Sequence, residues 1–383
     1  MASPVADSYS AASGGSITAG RYSGVPAWVQ ALPLLEWYSI PNTALSSIEP
    51  TPKPPGDPAG KITAWNGACV RHSDSAYIIP PSGGHGDYAG NEIGMLRLSD
   101  EVPAWVQVKP PSATADMILS AVAYLDLRRS AGHCYNGSQF DQANNRILMV
   151  STGTTFGMIG GIPARPADWP WIAGNGTFMA FDMAANEWLA PDALTAFPTG
   201  ATMEGQPICV NRLTGDVFMN RPNNGFLWRY RPSTNTWTNI GAWYISDTEA
   251  YCGQDIDYTR DRMLVVGDYF GTRAPFVRST VDASAVSVTF GGLGPDVLKS
   301  DIHPAVEYDN VNDCFWVCIN GSPIEVYRVN ASTWYVDQPT ITGTKPASRT
   351  NGIHNSFRYV PNLKGVVIAN SYTGNVKFMR TAL

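Results

Sequence analysis

The feature that most constrains this chain is an interval, an aromatic or apolar residue followed at a fixed distance by Trp. It occurs as "YRPSTNTW" (230–237), "FDMAANEW" (181–188), "YRVNASTW" (327–334) and, more loosely, "LSDEVPAW" (98–105). Each copy reads as two strand-like segments joined by a turn rich in Pro, Ser, Thr, Asn or Asp. A short unit that recurs in this way cannot bury its apolar faces alone, so it must stack on its own copies.

Each copy belongs to a longer unit. Six short, nearly continuous apolar runs precede or follow the Trp segments: "AYII" (76), "RILMV" (146), "DVFM" (216), "RMLVV" (262), "CFWVC" (314) and "GVVIA" (365). Such runs suit strands covered on both faces. Upstream of each lies another extended segment, among them "GACVRH", "CYNGSQF", "CGQDIDY" and "NSFRY", joined to it by turns such as "TRD" and "NVND". The unit is therefore four strands in about 40 to 50 residues, the period of a propeller blade. Insertions around 110–131 and 153–175 lengthen two early units, and "ADMILSAVAYLDL" in the first is expected to form a short helix. The fourth unit has no Trp after "PFVRSTVDASAVSVTF", so its outer strand carries the weakest signal.

After "HNSFRYV", "GVVIAN" and "NVKFMRTAL" the last unit has three strands and the sequence ends. Near the amino terminus, "LEWYSIP" (35–41) offers a Trp-bearing strand with no partners before it. The simplest ring sets this strand on the outside of the last blade, so that no interface is left open. The expectation is an all-β fold, a six-bladed β-propeller over residues 23–383, preceded by an extended arm over 1–22.

Composition narrows the function classes. Gly 36, Pro 29 and Trp 12 with only 15% charged residues describe a turn-rich, aromatic-rich chain. A net charge of -6 without Lys or Arg runs gives no reason to approach nucleic acid or an anionic membrane. No apolar stretch approaches the roughly 18 residues of a membrane helix, and the first residues lack the basic start and apolar middle of a secretory signal. The six cysteines show no CxxC pair and fall mostly in apolar runs, where they read as small buried hydrophobes.

The aromatic-to-Trp unit, with a Gly pair as in Gly83-Gly84 after a second strand, resembles the kelch repeat of kelch and galactose-oxidase-like β-propellers. The resemblance spans most of 23–383, although the Gly pair is clear only in the first unit. It implies the fold; kelch-like propellers serve as enzymes, glycan binders and protein docks, so it implies no single activity. The tyrosines, histidines and cross-linked cysteine of the galactose oxidase copper site have no match here, and no cofactor is expected.

In a propeller the segments leading into each first strand share a face with the loops joining second and third strands. His133, His303 and His354 lie just before first strands and His85 lies in the loop "GGHGDYAGNE", so four of the five histidines are expected at one mouth; His72 belongs to the opposite face. Trp65, Asn66, Glu204, Glu249 and Tyr251 occupy similar lead-in positions. Asp87, Tyr88, Arg221, Asn223, Tyr269, Arg273, Asn320 and Tyr372 lie in the loops. Aromatic faces beside planar polar groups suit sugars. Each residue alone also fits a bracing role in its turn.

His133, His303, His354 and Tyr251 are the candidate catalytic residues. His85, Asp87, Tyr88, Trp65, Glu204, Glu249 and Arg273 are the candidate ligand-binding set. Pairs such as His133 with Tyr135, or His303 with Tyr251, suit acid–base work in a polysaccharide lyase, with Arg273 neutralising a substrate carboxylate. The histidines with Glu204 are of metal-ligating type, but they come from different units and no metal is assigned. Glu204 and Glu249, from adjacent units, are a weak glycosidase pair.

The preferred expectation is a non-enzymatic recognition or structural propeller, with the lyase as the alternative. The small, polar arm resembles the leaders of tailed-phage virion proteins. This suggests a virion or tail component made in a bacterial cytoplasm and contacting a host surface glycan or a virion protein. A homo-oligomer within the assembly stays open.

Overall fold

The structure, a computed structural model, describes residues 24–383 apart from 85, 120, 151–158, 169–177, 198–206, 222–224, 243–250, 269–270 and 300–302. The proposed arm over 1–22 lies outside the described residues.

Among the described residues the strands form six sheets arranged as the blades of a propeller. The first blade shows the pattern: Cys69–Arg71, Ala76–Ile79, Ile93–Arg97 and Trp105–Lys109 pair antiparallel in that order. The second to fifth blades repeat it, beginning at Ser138–Asp141, Ile208–Val210, Gly253–Asp257 and Ala305–Asp309. The last blade comprises Phe357–Val360, Gly365–Ile368 and Lys377–Arg380, and its fourth strand is Glu36–Ser39, with Trp37 facing Met379 and Tyr38 facing Phe378. Two crossovers add short parallel edges: Gly291–Gly292 beside Tyr335–Val336, and Thr342–Gly343 beside Glu36–Trp37.

The continuous apolar runs have a direct explanation. In Arg146–Val150, Ile147 and Met149 join the apolar cluster shared with the first blade, while Leu148 and Val150 join the one shared with the third. In Arg262–Val266, Met263 and Val265 face the third blade, and Leu264 and Val266 face the fifth. Side chains alternate across a strand, so a strand between two neighbours needs apolar residues at every position. Each such side chain contributes about 1.5–3 kcal/mol through burial, and truncating one, as in Leu264→Ala, costs about 2–5 kcal/mol.

Phe181 pairs directly with Trp188, and Tyr230 with Trp237, at ring distances of 5.5 and 5.2 Å. The copy in the fifth blade is displaced. There Val329 faces Val336, and Trp334 holds the left-handed turn position (φ 59°) that Asn235 holds in the third blade (φ 52°). Trp334 is retained because its ring packs on Phe315 and Phe290. The weakly signalled outer strand of the fourth blade is Ala285–Val286. Among the described residues of "ADMILSAVAYLDL" the expected helix is not found. The described part of this segment holds one 3₁₀ turn, Thr114–Asp116, and Met117, Ile118, Ala121 and Tyr124 are buried in a satellite apolar cluster. Burial on several sides, rather than helical amphipathicity, accounts for its apolar content.

Candidate functional site

One residue just ahead of the first strand recurs in an unusual conformation. Trp65, Tyr135, Tyr251, His303 and His354 have φ of 48°, 46°, 79°, 43° and 49°. This left-handed region costs a bulky L-residue about 1–2 kcal/mol, and glycine would hold it without strain. The backbone reason lies in the joints between blades: the Tyr135 amide donates to the Trp65 carbonyl at 2.7 Å, and the His354 amide to the His303 carbonyl at 2.8 Å. The turn passes the chain from one blade to the next, and a ring-bearing residue sits on each of these five turns.

The rings meet. Trp65 lies over His133 at 4.7 Å between centroids, and Tyr135 touches His133, Tyr251 and His354 edge-on at 5.7, 5.3 and 5.7 Å. Tyr251 tilts over His303 at 4.6 Å, and His303 stacks on His354 at 4.7 Å. His303 needs Gly352 beside it, because a Cβ there would come within 2.8 Å of the imidazole's own Cβ. Trp65 and Tyr251 are half-buried, whereas His133, Tyr135 and His354 are buried.

Polar contacts orient the imidazoles. His133 Nε2 lies 3.0 Å from an Asp87 carboxylate oxygen and its Nδ1 3.4 Å from the Tyr135 hydroxyl. His303 Nδ1 points at the Tyr251 carbonyl at 3.3 Å, and His354 Nε2 at the Asn351 carbonyl at 2.7 Å. Burial, followed by the neighbouring His303 and Arg349, holds the His354 pKa well below the usual imidazole value.

Below the rings the channel is filled. Arg349, buried, donates to the Asn66 and Ile353 carbonyls at 2.9 Å, and also to the Ile62 carbonyl and the Ser356 hydroxyl. Burial lowers its pKa to about 10. Deeper still, Arg212 bridges Asp255 and Glu307 at 3.2 Å each, and Arg358 reaches Glu307 at 3.0 Å and Gln139 at 2.6 Å. Gln139, Asp255, Glu307 and Arg358 follow Tyr135, Tyr251, His303 and His354 at one constant spacing. These residues were not singled out from the sequence, although that periodic polar position was the signal that could have found them.

His133, His303, His354, Tyr251, Trp65 and Asp87 are thus brought together, and Tyr135 proves to be their hub. Tyr88 is elsewhere, fully buried with its hydroxyl donating to Glu92, which also pairs with the buried Lys61. Arg273 lies in the fourth blade with its guanidinium 5.8 Å from the Phe276 ring centroid, and burial lowers its pKa. Tyr372 donates to Glu49, and Asn320 to the Arg349 carbonyl. His85, Glu204, Glu249, Asn223 and Tyr269 lie outside the described residues, as does the side chain of Arg221. Among the described residues no group of three His, Cys, Asp or Glu is placed to hold a metal ion, and all six cysteines are buried free thiols.

These features define a class: a six-bladed β-propeller with a filled channel and a ring-lined mouth. No family model matches the chain, and no curated protein matches it. A solved protein of unknown function from Bacteroides thetaiotaomicron is similar over 89% of this chain and 74% of its own, at 10% identity and a TM-score of 0.49.

Proposed function

We propose that this protein is a recognition propeller that binds a glycan at the mouth of its channel. The observation that supports this best is the convergence of Trp65, Tyr135, Tyr251, His303 and His354 on left-handed turns. The joints between blades account for the backbone of these turns, whereas the gathering of five rings on them at one mouth is the arrangement a sugar-binding face requires. Half-exposed Trp and Tyr faces stack on the apolar faces of sugar rings, and the nearby imidazoles and Asp87 bond hydroxyls. A phage virion or tail is the setting we propose for it, on the strength of the small, polar leader sequence.

The test is retention on a panel of immobilised polysaccharides, comparing the native protein with Trp65→Asn, which tolerates the left-handed backbone. Retention lost in the variant at an unchanged melting temperature supports the mouth as the site; equal retention removes it. A second reading, a polysaccharide lyase, is favoured by the Asp87–His133–Tyr135 series, in which the carboxylate and imidazole are placed to take up the tyrosine proton. Against it, Arg349 beneath the rings is held by main-chain carbonyls, and Arg273 is placed on Phe276. Ultraviolet absorbance from an unsaturated uronic product during incubation would establish that reading over the first.

A further inference from the structure

We infer that the mouth selects an uncharged, hydroxyl-rich saccharide, because unmet hydrogen-bond acceptors, His354 Nδ1 and Asn136 Oδ1, lie at its rings and beside them. The inference rests on the glycan reading above and specifies the ligand class.

The proton positions follow from the partners. A carbonyl only accepts, so His354 Nε2, 2.7 Å from the Asn351 carbonyl, carries the proton and Nδ1 carries the lone pair. His354 is fully buried, and its Nδ1 has no hydrogen-bond partner among the described residues. The same logic makes His303 Nδ1 the donor to the Tyr251 carbonyl. His133 Nε2 donates to the Asp87 carboxylate, and its Nδ1 lies 3.4 Å from the Tyr135 hydroxyl oxygen. Beside Tyr135, the Asn136 side-chain amide donates to the Cys252 carbonyl; its Oδ1 is buried without a partner among the described residues.

A buried acceptor left unmet is costly, and a ligand hydroxyl can meet it. A carboxylate, sulfate or phosphate would instead face these lone pairs and the Asp87 charge. Among the described residues, Lys61 pairs with Glu92 and Arg349 with the carbonyls beneath the rings. A divalent cation is a poor occupant. His303 and His354 stack with only 22° between their planes, so one ion cannot lie in the plane of both rings. The low pKa of His354 agrees with a ring that stays a neutral acceptor.

The experiment measures retention of the native protein, His354→Asn and Tyr135→Phe on immobilised neutral polymers (a glucan, a mannan, a galactan) and uronate polymers (alginate, polygalacturonate). The expected result is retention of the native protein on at least one neutral polymer and on neither uronate. His354→Asn, which tolerates the left-handed turn, should weaken that binding roughly tenfold, as should removal of the phenol in Tyr135→Phe. Retention on a uronate polymer as strong as on any neutral one overturns the inference and leaves the glycan reading standing. Retention on no polymer overturns both. If His354→Asn does not fold, Tyr135→Phe decides alone: unchanged binding to the neutral polymer overturns the inference.

Discussion

His354 lies stacked on His303, ring centroids 4.7 Å apart and planes 22° from parallel, in a site where burial penalises any positive charge. Two imidazolium ions cannot share such a contact, so the folded protein favours the neutral His354 ring. A histidine whose folded pKa is depressed contributes stability above its unfolded value of about 6.5 and loses it as pH falls. Melting temperature followed from about pH 7.5 down to 5 should therefore fall less steeply in His354→Asn than in the native protein. Parallel slopes would show that His354 does not titrate in this way.

Glu307 should act in the opposite sense. Burial first, then the nearby Asp255, raises its pKa to about 7 despite Arg358, Arg212 and the Tyr359 amide, which all favour its charge. A carboxyl with a raised folded pKa stabilises fully below its unfolded value, about 4.3, and the contribution is lost as pH rises through about 7. Glu307→Gln should remove that fall between about pH 4.5 and 7, which chemical denaturation at several pH values will show. A native profile with no such fall would contradict it.

Arg349 ties the last blade to the first through carbonyls at Ile62, Asn66 and Ile353. Arg349→Met leaves those buried acceptors unmet, and the expected loss is about 3 kcal/mol or more. A loss under about 1 kcal/mol by urea denaturation would mean that water replaces the guanidinium at no cost.

The six thiols should be silent to a colorimetric thiol reagent in the native protein and all react after unfolding. Burial pushes the Cys69 and Cys252 thiols up to about 12 and also raises Cys134, Cys209, Cys314 and Cys318. Rapid reaction of any one under native conditions would show an opened blade joint.

The blades were legible because the second strands carry nearly continuous apolar runs, repeated six times with Trp-bearing segments and turns between them. Closure by Glu36–Ser39 was legible because the last unit lacked one strand and the Trp37 segment lacked three. The helix expected in 115–127 was misread because an apolar stretch buried within loops has no period of its own. At the mouth, the histidines were visible as residues ahead of first strands, yet Tyr135 is the hub, since the ring that occupies the turn follows His133 by two positions. Sequence placed Tyr88 at the rim; its inward turn toward Glu92 depends on the fold of one loop, where Gly83 must pack against the Tyr88 backbone. Arg349 escaped notice because its partners are main-chain carbonyls, which no side-chain pattern announces.

The chain ahead of the closing strand rests on the far side of the ring. Trp28 donates to the Asp100 carbonyl and the Ala27 amide to Glu101, both in the turn between the third and fourth strands of the first blade, the side away from the rings. The last residues return there too, where the Thr381 amide meets the Lys364 carbonyl. The two described ends of the chain therefore meet the same side of the disc, and the ring-lined face is turned away from both.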